Sequence, residues 1–237
     1  MQNIKSIRRS AVFFFAIFIV AMGCDFVSAQ DNSYAHMLNV TMTASQNLFI
    51  AQTAVNKQRE IMKVAAGQSP YGSTPSQTPA HVVQYPINAT DFQPLSPPIM
   101  PDQFADAANG VTPEVKQQMR LFFQQVLTAF GNGARKNNMA NAFAFICAAS
   151  MKVKNGKEPS SAEVDQMIGY FNNTLAASPQ YYTFNPRQQQ MLYESLIITG
   201  GIIMFLDTQG RQTGNQQMQA QAQQMSAMVL KAFLGAQ

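Results

Sequence analysis

The sequence is poor in charge, cysteine and histidine, and it contains no tryptophan. Of its 237 residues 12% are charged, about half of the roughly 25% typical of a soluble domain. This low content excludes a disordered chain held open by charge. It also argues against a nucleic-acid-binding protein, because such proteins concentrate lysine and arginine. Two cysteines and two histidines leave little material for a metal or thiol site, so we expect no metal, no cofactor and no nucleic-acid partner.

The N-terminus has the three-part pattern of a secretory signal peptide. A basic start with Arg8 and Arg9 precedes the apolar run Ala11–Gly23, and small residues follow up to Ala29. The apolar run has 13 residues, well short of the roughly 18–20 needed to span a bilayer. We predict that residues 1–29 are removed and that the protein is exported by a bacterium to the periplasm or the medium, with no membrane span after cleavage.

Cys24 gives the N-terminus an alternative fate. The sequence Ala21-Met22-Gly23-Cys24 resembles a bacterial lipoprotein box, although alanine stands where a branched aliphatic residue is usual. Lipid attachment at Cys24 would tether the protein to a membrane, whereas cleavage after Ala29 would release it, and we favour release. Cleavage lowers the net charge from +4 to +2, because three of the 16 basic and one of the 12 acidic residues lie in the signal peptide. The basic charge therefore says little about a partner.

Composition divides the rest of the chain into three parts. Residues 30–66 form an N-terminal helical segment with few breakers. Residues 67–110 form a Pro-rich linker or strap that holds eight of the twelve prolines, so we expect no helix there. Its later half, Thr90–Phe104, is apolar enough to pack as a strap on the helical body. The alternative is a Pro-rich ligand for a partner's aromatic groove. Residues 111–237 form an α-helical domain.

Capping signals predict where the helices of this domain begin. Thr112-Pro113 and Asn185-Pro186 each place a capping residue before a proline, and Ser160 with Glu163 forms a capping box. Gly131-Asn132-Gly133 predicts a helix end and a turn. These signals predict an all-α fold, a five- to six-helix bundle preceded by a Pro-rich strap and a signal peptide. Five of the helices lie in the α-helical domain, and the N-terminal segment would be the sixth.

The helix that begins at Asn185 differs from the others. Its centre, Met191–Leu206, is apolar nearly all round, which is typical of the buried helix of a bundle. Its strongest apolar run, Leu196–Leu206, is too short to span a membrane. The pair Gly200-Gly201 lowers helix propensity, so we expect a neighbouring helix to approach closely there.

Four groups of short motifs are spread over residues 90–237. They are Thr90-Asp91-Phe92-Gln93-Pro94, Asn141-Ala142-Phe143-Ala144, Asn155-Gly156 with Pro159-Ser160, and Arg187-Gln188 with Tyr193-Glu194. Together they resemble a bacterial family of exported proteins whose domain has no assigned function. The resemblance implies a signal peptide and an α-helical domain, but it carries over no catalytic or binding residue.

The cysteines and histidines offer no recognisable chemistry. Cys147 lies in the apolar helical run Ala142–Met151, so we expect a buried and inert thiol. After loss of Cys24 no disulfide can form within the chain. His36 and His81 lie outside the α-helical domain, without the spacing of metal ligands. We predict no catalytic, cofactor or metal site from these residues.

Glu194 is the one weak catalytic candidate, an acid on an apolar helix face. Burial would raise its pKa and suit a general acid. The pair Glu194-Ser195 also resembles the Glu-Ser pair of lytic transglycosylases, which are exported helical enzymes, although their later Gly-Leu-Met-Gln signature is missing. The simpler interpretation is a structural hydrogen bond to an adjacent helix end, or an ion pair with Arg187 or Arg135. We favour this structural role.

The sequence therefore predicts an exported, non-enzymatic helical protein that acts through contacts with an unknown protein partner in the cell envelope. A homo-oligomer is compatible with this prediction. The first alternative is a carrier for an apolar ligand between Met- and Phe-lined helices. The second is a peptidoglycan-cleaving enzyme that uses Glu194.

Overall fold

Six α-helices and one short 3-10 helix form the part of the chain that the structure describes, residues 84–95, 97–108 and 112–234 of a computed structural model. These residues contain no β-strand, only an isolated antiparallel bridge between Asp91 and Asn138. The all-α prediction is confirmed. The helices are α1 Met100–Ala107, α2 Pro113–Gly133, α3 Met139–Asn155, α4 Ser161–Ala176, α5 Pro186–Thr213 and α6 Gln216–Leu234, with the 3-10 helix Pro179–Thr183 between α4 and α5.

Helices α3 and α5 lie at the centre of the bundle. Helix α3 packs against α4, α5 and α6, and α5 also packs against α2 and α6. Helix α1 lies on α2 and makes a smaller contact with α5. All six helices contribute to one apolar cluster. Within it Phe143 stacks on Phe171 with 5.3 Å between ring centroids and meets Phe233 edge-on at 5.1 Å.

The capping signals work as the sequence predicts. The Thr112 side chain accepts a hydrogen bond from the backbone N–H of Val115 at the start of α2. Ser160 and Glu163 form the reciprocal capping box of α4. Asn185 caps α5. Five helices therefore begin and end inside the predicted α-helical domain.

Two predictions about helix ends are wrong. The sequence predicts a turn at Gly131–Gly133, but α2 includes these residues and its C-cap is Ala134. The sequence also predicts no helix within residues 67–110, yet α1 begins at Met100. Pro101 stands in the first turn of α1, where the missing N–H would have no partner in any case, so proline starts this helix rather than preventing it.

The glycine pair of α5 lies where neighbouring helices come close. A Cβ added at Gly200 would lie 2.7 Å from the Phe145 ring of α3. One added at Gly201 would lie 2.6 Å from a methyl carbon of Val126 in α2. Both distances are shorter than atoms tolerate, so the expected close approach is confirmed.

Helix α5 has 28 residues and could cross a membrane by length and composition alone. In the fold, however, 83% of its apolar stretch is buried by the rest of the protein. The apolar surface of α5 is therefore covered by other helices of the same protein and not by lipid.

Several predictions fall on residues 1–83, outside the described part of the chain. They concern the signal peptide of residues 1–29, Cys24, the helical segment 30–66 and both histidines. They remain predictions.

Candidate functional site

Residues 84–95 and 97–99, which we call the arm, run across α3, α4 and α5 toward the start of α1. Body side chains hold the arm at several points, and the main ones, which we call the arm site, are Arg135, Asn138, Asn172, Gln190 and Glu194. Polar side chains from α4, α5 and the connection between α2 and α3 converge on one segment, which makes this the best-defined site of the described residues.

Glu194, a residue of α5, caps the N-terminus of helix α1. Its Oε2 accepts hydrogen bonds from the backbone N–H groups of Ile99 and Met100, both at 2.8 Å. Ile99 is the N-cap residue of α1 and provides no side-chain cap of its own. A carboxylate at a helix N-terminus satisfies free N–H groups and complements the helix dipole. Glu194 thus supplies from α5 the cap that α1 lacks.

Gln190 lies one turn before Glu194 on α5 and holds the preceding stretch of the arm. Its side-chain oxygen accepts from the Leu95 N–H at 3.1 Å, and its amide nitrogen donates to the Pro97 carbonyl at 3.2 Å. The same nitrogen donates to Glu194 Oε1 at 2.8 Å. The two side chains therefore form one unit that binds the main chain at Leu95, Pro97, Ile99 and Met100.

The surroundings of Glu194 do not match those of a catalytic acid. The residue is 3% exposed, and burial raises the pKa of its carboxyl, while the Met100, Gln190 and Ile99 donors oppose that rise. A general acid needs access to the atom that it protonates. Ser195, which would pair with it in the transglycosylase interpretation, donates to the Met191 carbonyl of its own helix at 2.7 Å.

The structural interpretation of Glu194 predicts the right kind of partner but the wrong residues. The carboxylate does bind an adjacent helix end. Neither suggested arginine takes part, however, because Arg135 pairs with Asp91 and Arg187 is exposed at the start of α5. Of the two predicted alternatives, the hydrogen bond to an adjacent helix end is therefore present and the ion pair with Arg187 or Arg135 is not.

Asn172 holds the first residues of the arm. Its amide nitrogen donates to the carbonyls of Tyr85 and Pro86 at 3.2 and 3.0 Å, and its oxygen accepts from the Thr90 hydroxyl at 3.0 Å. The neighbouring Asn173 accepts from the Tyr85 N–H at 2.9 Å. Asn172 is buried, and every polar atom of its side chain is used in holding the arm.

Asn138 joins the arm to the start of α3. Its oxygen caps the helix by accepting from the Asn141 N–H at 3.0 Å. Its amide nitrogen donates to the Ile87 carbonyl at 3.0 Å and to the Asp91 carboxylate at 2.7 Å. One side chain thus caps a helix and binds the arm. The bridge between Asp91 and Asn138 itself consists of backbone hydrogen bonds, from the Phe92 N–H to the Asn137 carbonyl at 2.9 Å and from the Met139 N–H to the Thr90 carbonyl at 3.0 Å.

The Asp91–Arg135 ion pair is the charged element of the site. The guanidinium contacts both carboxylate oxygens, with Nε at 2.9 Å from Oδ1. This bidentate hydrogen bonding from Arg135 is the largest cause of the lowered pKa of Asp91. Burial opposes it, and the hydrogen bond from the Asn138 amide and the charge of Arg135 lower the pKa further. Asp91 is therefore held in its ionised form.

Aromatic residues cover the middle of the arm. The Phe92 ring meets Tyr193 edge-on at 5.1 Å. The Tyr193 hydroxyl accepts from the N–H of Asn137, whose carbonyl in turn accepts from the Phe92 N–H at 2.9 Å. Asn137 has a positive φ of 53°, a conformation that asparagine tolerates better than most residues. The Tyr181 hydroxyl donates to the Thr90 carbonyl at 3.2 Å.

Sequence reasoning finds part of this site and misses the rest. It identifies Glu194, and the motifs that carry the family resemblance contain Thr90, Asp91 and Tyr193. It does not identify Asn138, Asn172 or Gln190. A polar side chain one turn before Glu194 on the same helix face is the signal that could have revealed Gln190.

Other predicted features lie away from the arm site. Cys147 is fully buried on α3, as expected, and burial raises the pKa of its thiol far above the usual range. Among the described residues no group of three or more His, Cys, Asp or Glu side chains is arranged to hold a metal ion. The arm site is rich in amides and backbone contacts, which suits the recognition of a polypeptide main chain.

Residues 7–237 match a protein family described as "Family of unknown function (DUF6683)". The chain belongs to this family, and the resemblance to a family without assigned function is confirmed. The match extends far beyond residues 90–237, on which that resemblance was based. No curated protein and no solved structure matches the chain.

Proposed function

For this member of a family of unknown function, we propose that the chain is an exported, non-enzymatic helical protein that acts through protein–protein contacts in the cell envelope. The observation that carries the proposal is a pair of uncharged outer helix faces. On α2 the exposed stripe consists of Gln117, Leu121, Gln124, Thr128 and Asn132. Protein interfaces are depleted of charge at their centre, so such a surface can be covered by a partner at low desolvation cost.

Helix α6 presents a second surface that is uncharged from Gln217 to Ala227 and ends at the exposed Lys231. Its outer stripe alternates glutamine with alanine, at Gln217, Ala220, Gln224 and Ala227. Small side chains allow a partner to approach closely, and amides provide hydrogen bonds without fixed charge. The Glu194 carboxylate is meanwhile occupied by three donors of its own chain, which supports a non-enzymatic role.

Export is tested first, by cell fractionation and by the mass of the mature chain. A chain that begins at Gln30 outside the cytoplasm is expected. A full-length cytoplasmic chain would contradict export, and a lipid-modified N-terminal Cys24 would establish the lipoprotein alternative.

The contact surface is tested with a photocrosslinking residue placed at Leu121, in the middle of the α2 stripe. We expect a discrete crosslinked adduct in living cells, and we expect it to disappear when Gln124→Glu and Thr128→Glu add charge to the stripe. The matched control is the same crosslinker at Lys157, which is exposed in the charged loop between α3 and α4. Equal adducts at both positions, or none at either, would contradict a specific contact through α2.

The enzyme alternative has its own experiment. Purified protein and the Glu194→Gln variant are incubated with peptidoglycan, and soluble fragments are measured. Turnover by the unsubstituted protein that is lost in the variant would overturn the non-enzymatic proposal, whereas no turnover by either ends the enzyme alternative.

A further inference from the structure

Helices α2 and α3 flank α5 without packing along each other. Gly201 of α5 faces Val126 of α2, and the adjacent Gly200 faces Phe145 of α3. The two helices meet near their connection, where the Phe130 and Phe145 rings contact edge-on at 5.1 Å. They are not among the described helix pairs that pack extensively on each other. A groove therefore lies between α2 and α3, with α5 as its floor.

The lining of this groove is largely apolar. Phe122 and Ala129 of α2 are only partly buried, and so are Phe145 and Ala148 of α3. Phe205 of α5 contacts Phe122 with 5.3 Å between ring centroids and so belongs to the floor. Apolar surface that is contiguous and not fully buried marks an interaction site.

One polar atom in the wall of the groove lacks a partner. Gln125 lies three residues after Phe122 and four before Ala129, so it shares their face of α2. Its Oε1 is buried, and no group of the described residues donates a hydrogen bond to it. A buried acceptor without a donor destabilises a fold. The groove therefore requires an apolar surface that carries one hydrogen-bond donor.

The sequence of residues 46–66, outside the described part of the chain, provides such a surface. It contains neither glycine nor proline, and at helical spacing it has an apolar stripe from Ile50 to Ala65. Gln58 stands in the middle of this stripe and is its one polar residue, while the four charged residues of the segment lie outside it. The segment has 21 residues, the same number as α2, so as a helix it matches α2 in length.

The connection to the described chain is long enough for this segment to reach the groove. Tyr85, near the start of the described chain, is held on α4 by Asn173. The 17 residues between 66 and 84 span about 55 Å when extended, whereas a body of this size has a radius of gyration of about 15 Å. The family match over residues 7–237 also includes the segment together with the helical body.

We propose that the groove between α2 and α3 is the docking site of residues 46–66 of the same chain, which form a helix there and donate a hydrogen bond from Gln58 to Gln125. The apolar stripe covers the partly buried aromatic rings of the groove, and its one amide meets the unpartnered acceptor of the wall. The charged residues of the segment stay in solvent. The exposed stripe of α2 stays open, so this docking is independent of the proposed contact with a partner.

A crosslink between the two glutamine positions tests the docking directly. The full mature chain with Gln58→Cys and Gln125→Cys is treated with a short bismaleimide, because two glutamine side chains are together longer than a disulfide. Cys147 is buried and does not compete. We expect a crosslink within one monomer, identified by mass spectrometry of the digested protein. The matched control pairs Gln58→Cys with Gln124→Cys, the next residue on the exposed stripe of α2.

The yields of these two pairs decide the outcome. An internal crosslink formed by the Gln125 pair and not by the Gln124 pair supports the docking. Equal yields from both pairs, no crosslink from the Gln125 pair, or crosslinked dimers in place of monomers would overturn it, and the dimers would assign the groove to a second copy.

Glutamine-to-methionine variants of the full mature chain test the hydrogen bond, since methionine resembles glutamine in shape and lacks the amide. Gln125→Met and Gln58→Met should each lower the folding equilibrium constant about tenfold, because each leaves the other amide buried without its partner. The double variant should recover most of that loss, and the control Gln124→Met should change the constant by less than about threefold.

Urea denaturation followed by circular dichroism measures these constants and shows that each variant folds. A higher folding constant for Gln125→Met alone would overturn the proposal, because removal of an acceptor that has no donor gives that result. Losses that simply add in the double variant would overturn it as well, because they show that the two glutamines do not interact.

Discussion

The arm and the centre of α5 are held in place by opposite means. The arm keeps most side chains in solvent and is fixed by hydrogen bonds to its backbone. The centre of α5 buries its side chains in a close-packed apolar cluster, with glycines at its tightest contacts. Apolar packing depends on shape over many contacts, whereas the arm depends on a few polar groups in register. A single polar substitution should therefore free the arm without unfolding the bundle.

The largest expected effect comes from Phe143→Ala in the core. Phe143 is fully buried between Phe171 and Phe233, so its loss leaves a cavity and should lower the free energy of unfolding by about 3–5 kcal/mol. Urea denaturation followed by circular dichroism measures this. The exposed Tyr182 is the control, and Tyr182→Ala should change the same quantity by less than about 1 kcal/mol. A similar decrease in the free energy of unfolding for the two variants would contradict burial as the cause of the larger effect at Phe143.

The next effect comes from overpacking at the α5–α2 contact. Gly201→Ala places a Cβ at 2.6 Å from Val126, which should destabilise the fold by about 1–3 kcal/mol. Adding Val126→Ala removes the clashing methyl groups and should restore part of the loss. A double variant less stable than the sum of the two single variants would contradict the close approach as the cause.

Glu194→Ala should loosen the arm and α1 while the core persists. The variant leaves the N–H groups of Ile99 and Met100 without their acceptor, at a cost of about 1–3 kcal/mol. Hydrogen exchange is expected to accelerate from Leu95 through α1 and to stay unchanged in α3. The matched variant Ser195→Ala removes only a hydrogen bond within α5 and should leave the arm protected. Uniform acceleration over the whole chain would show that arm and core unfold together.

The smallest effect is the pH dependence of the arm. The hydrogen bond from Arg135 lowers the pKa of Asp91. The contribution of Asp91 to stability is therefore complete above the usual pKa of 3.8, and it is lost as the pH falls through the lower pKa of the folded state. Burial raises the pKa of Glu194. The contribution of Glu194 to stability is therefore complete below the usual pKa of 4.5, and it declines as the pH rises through the higher pKa of the folded state. Amide NMR signals of Phe92 and Ile99 should report the two transitions separately.

The matched variants sharpen this test. Asp91→Asn should remove the acid-side transition and Glu194→Gln the transition at higher pH, each without changing the other. A single transition shared by the Phe92 and Ile99 amides would contradict the prediction that Asp91 and Glu194 titrate independently.

Local signals in the sequence account for much of the fold but for little of the arm site. The caps at Thr112, Ser160 and Asn185 act over three residues, so their spacing is visible directly. Pro101 misleads because proline either starts or interrupts a helix, and local sequence does not distinguish the two. The apolar face of α5 reveals Glu194 as unusual, yet nothing nearby indicates that the backbone of residues 99 and 100 will meet it.

The sequence by itself determined the all-α class, the starts of α2, α4 and α5, the burial of Cys147 and the close contact at the α5 glycines. These follow from short-range capping, apolar periodicity and the small size of glycine. Only the tertiary structure decided the partners of Glu194 and Asn172, because those hydrogen bonds join residues more than 80 positions apart along the chain. A polar side chain can satisfy its hydrogen bonds with many groups, and the packing of α1, α3, α4 and α5 brought the arm backbone within reach.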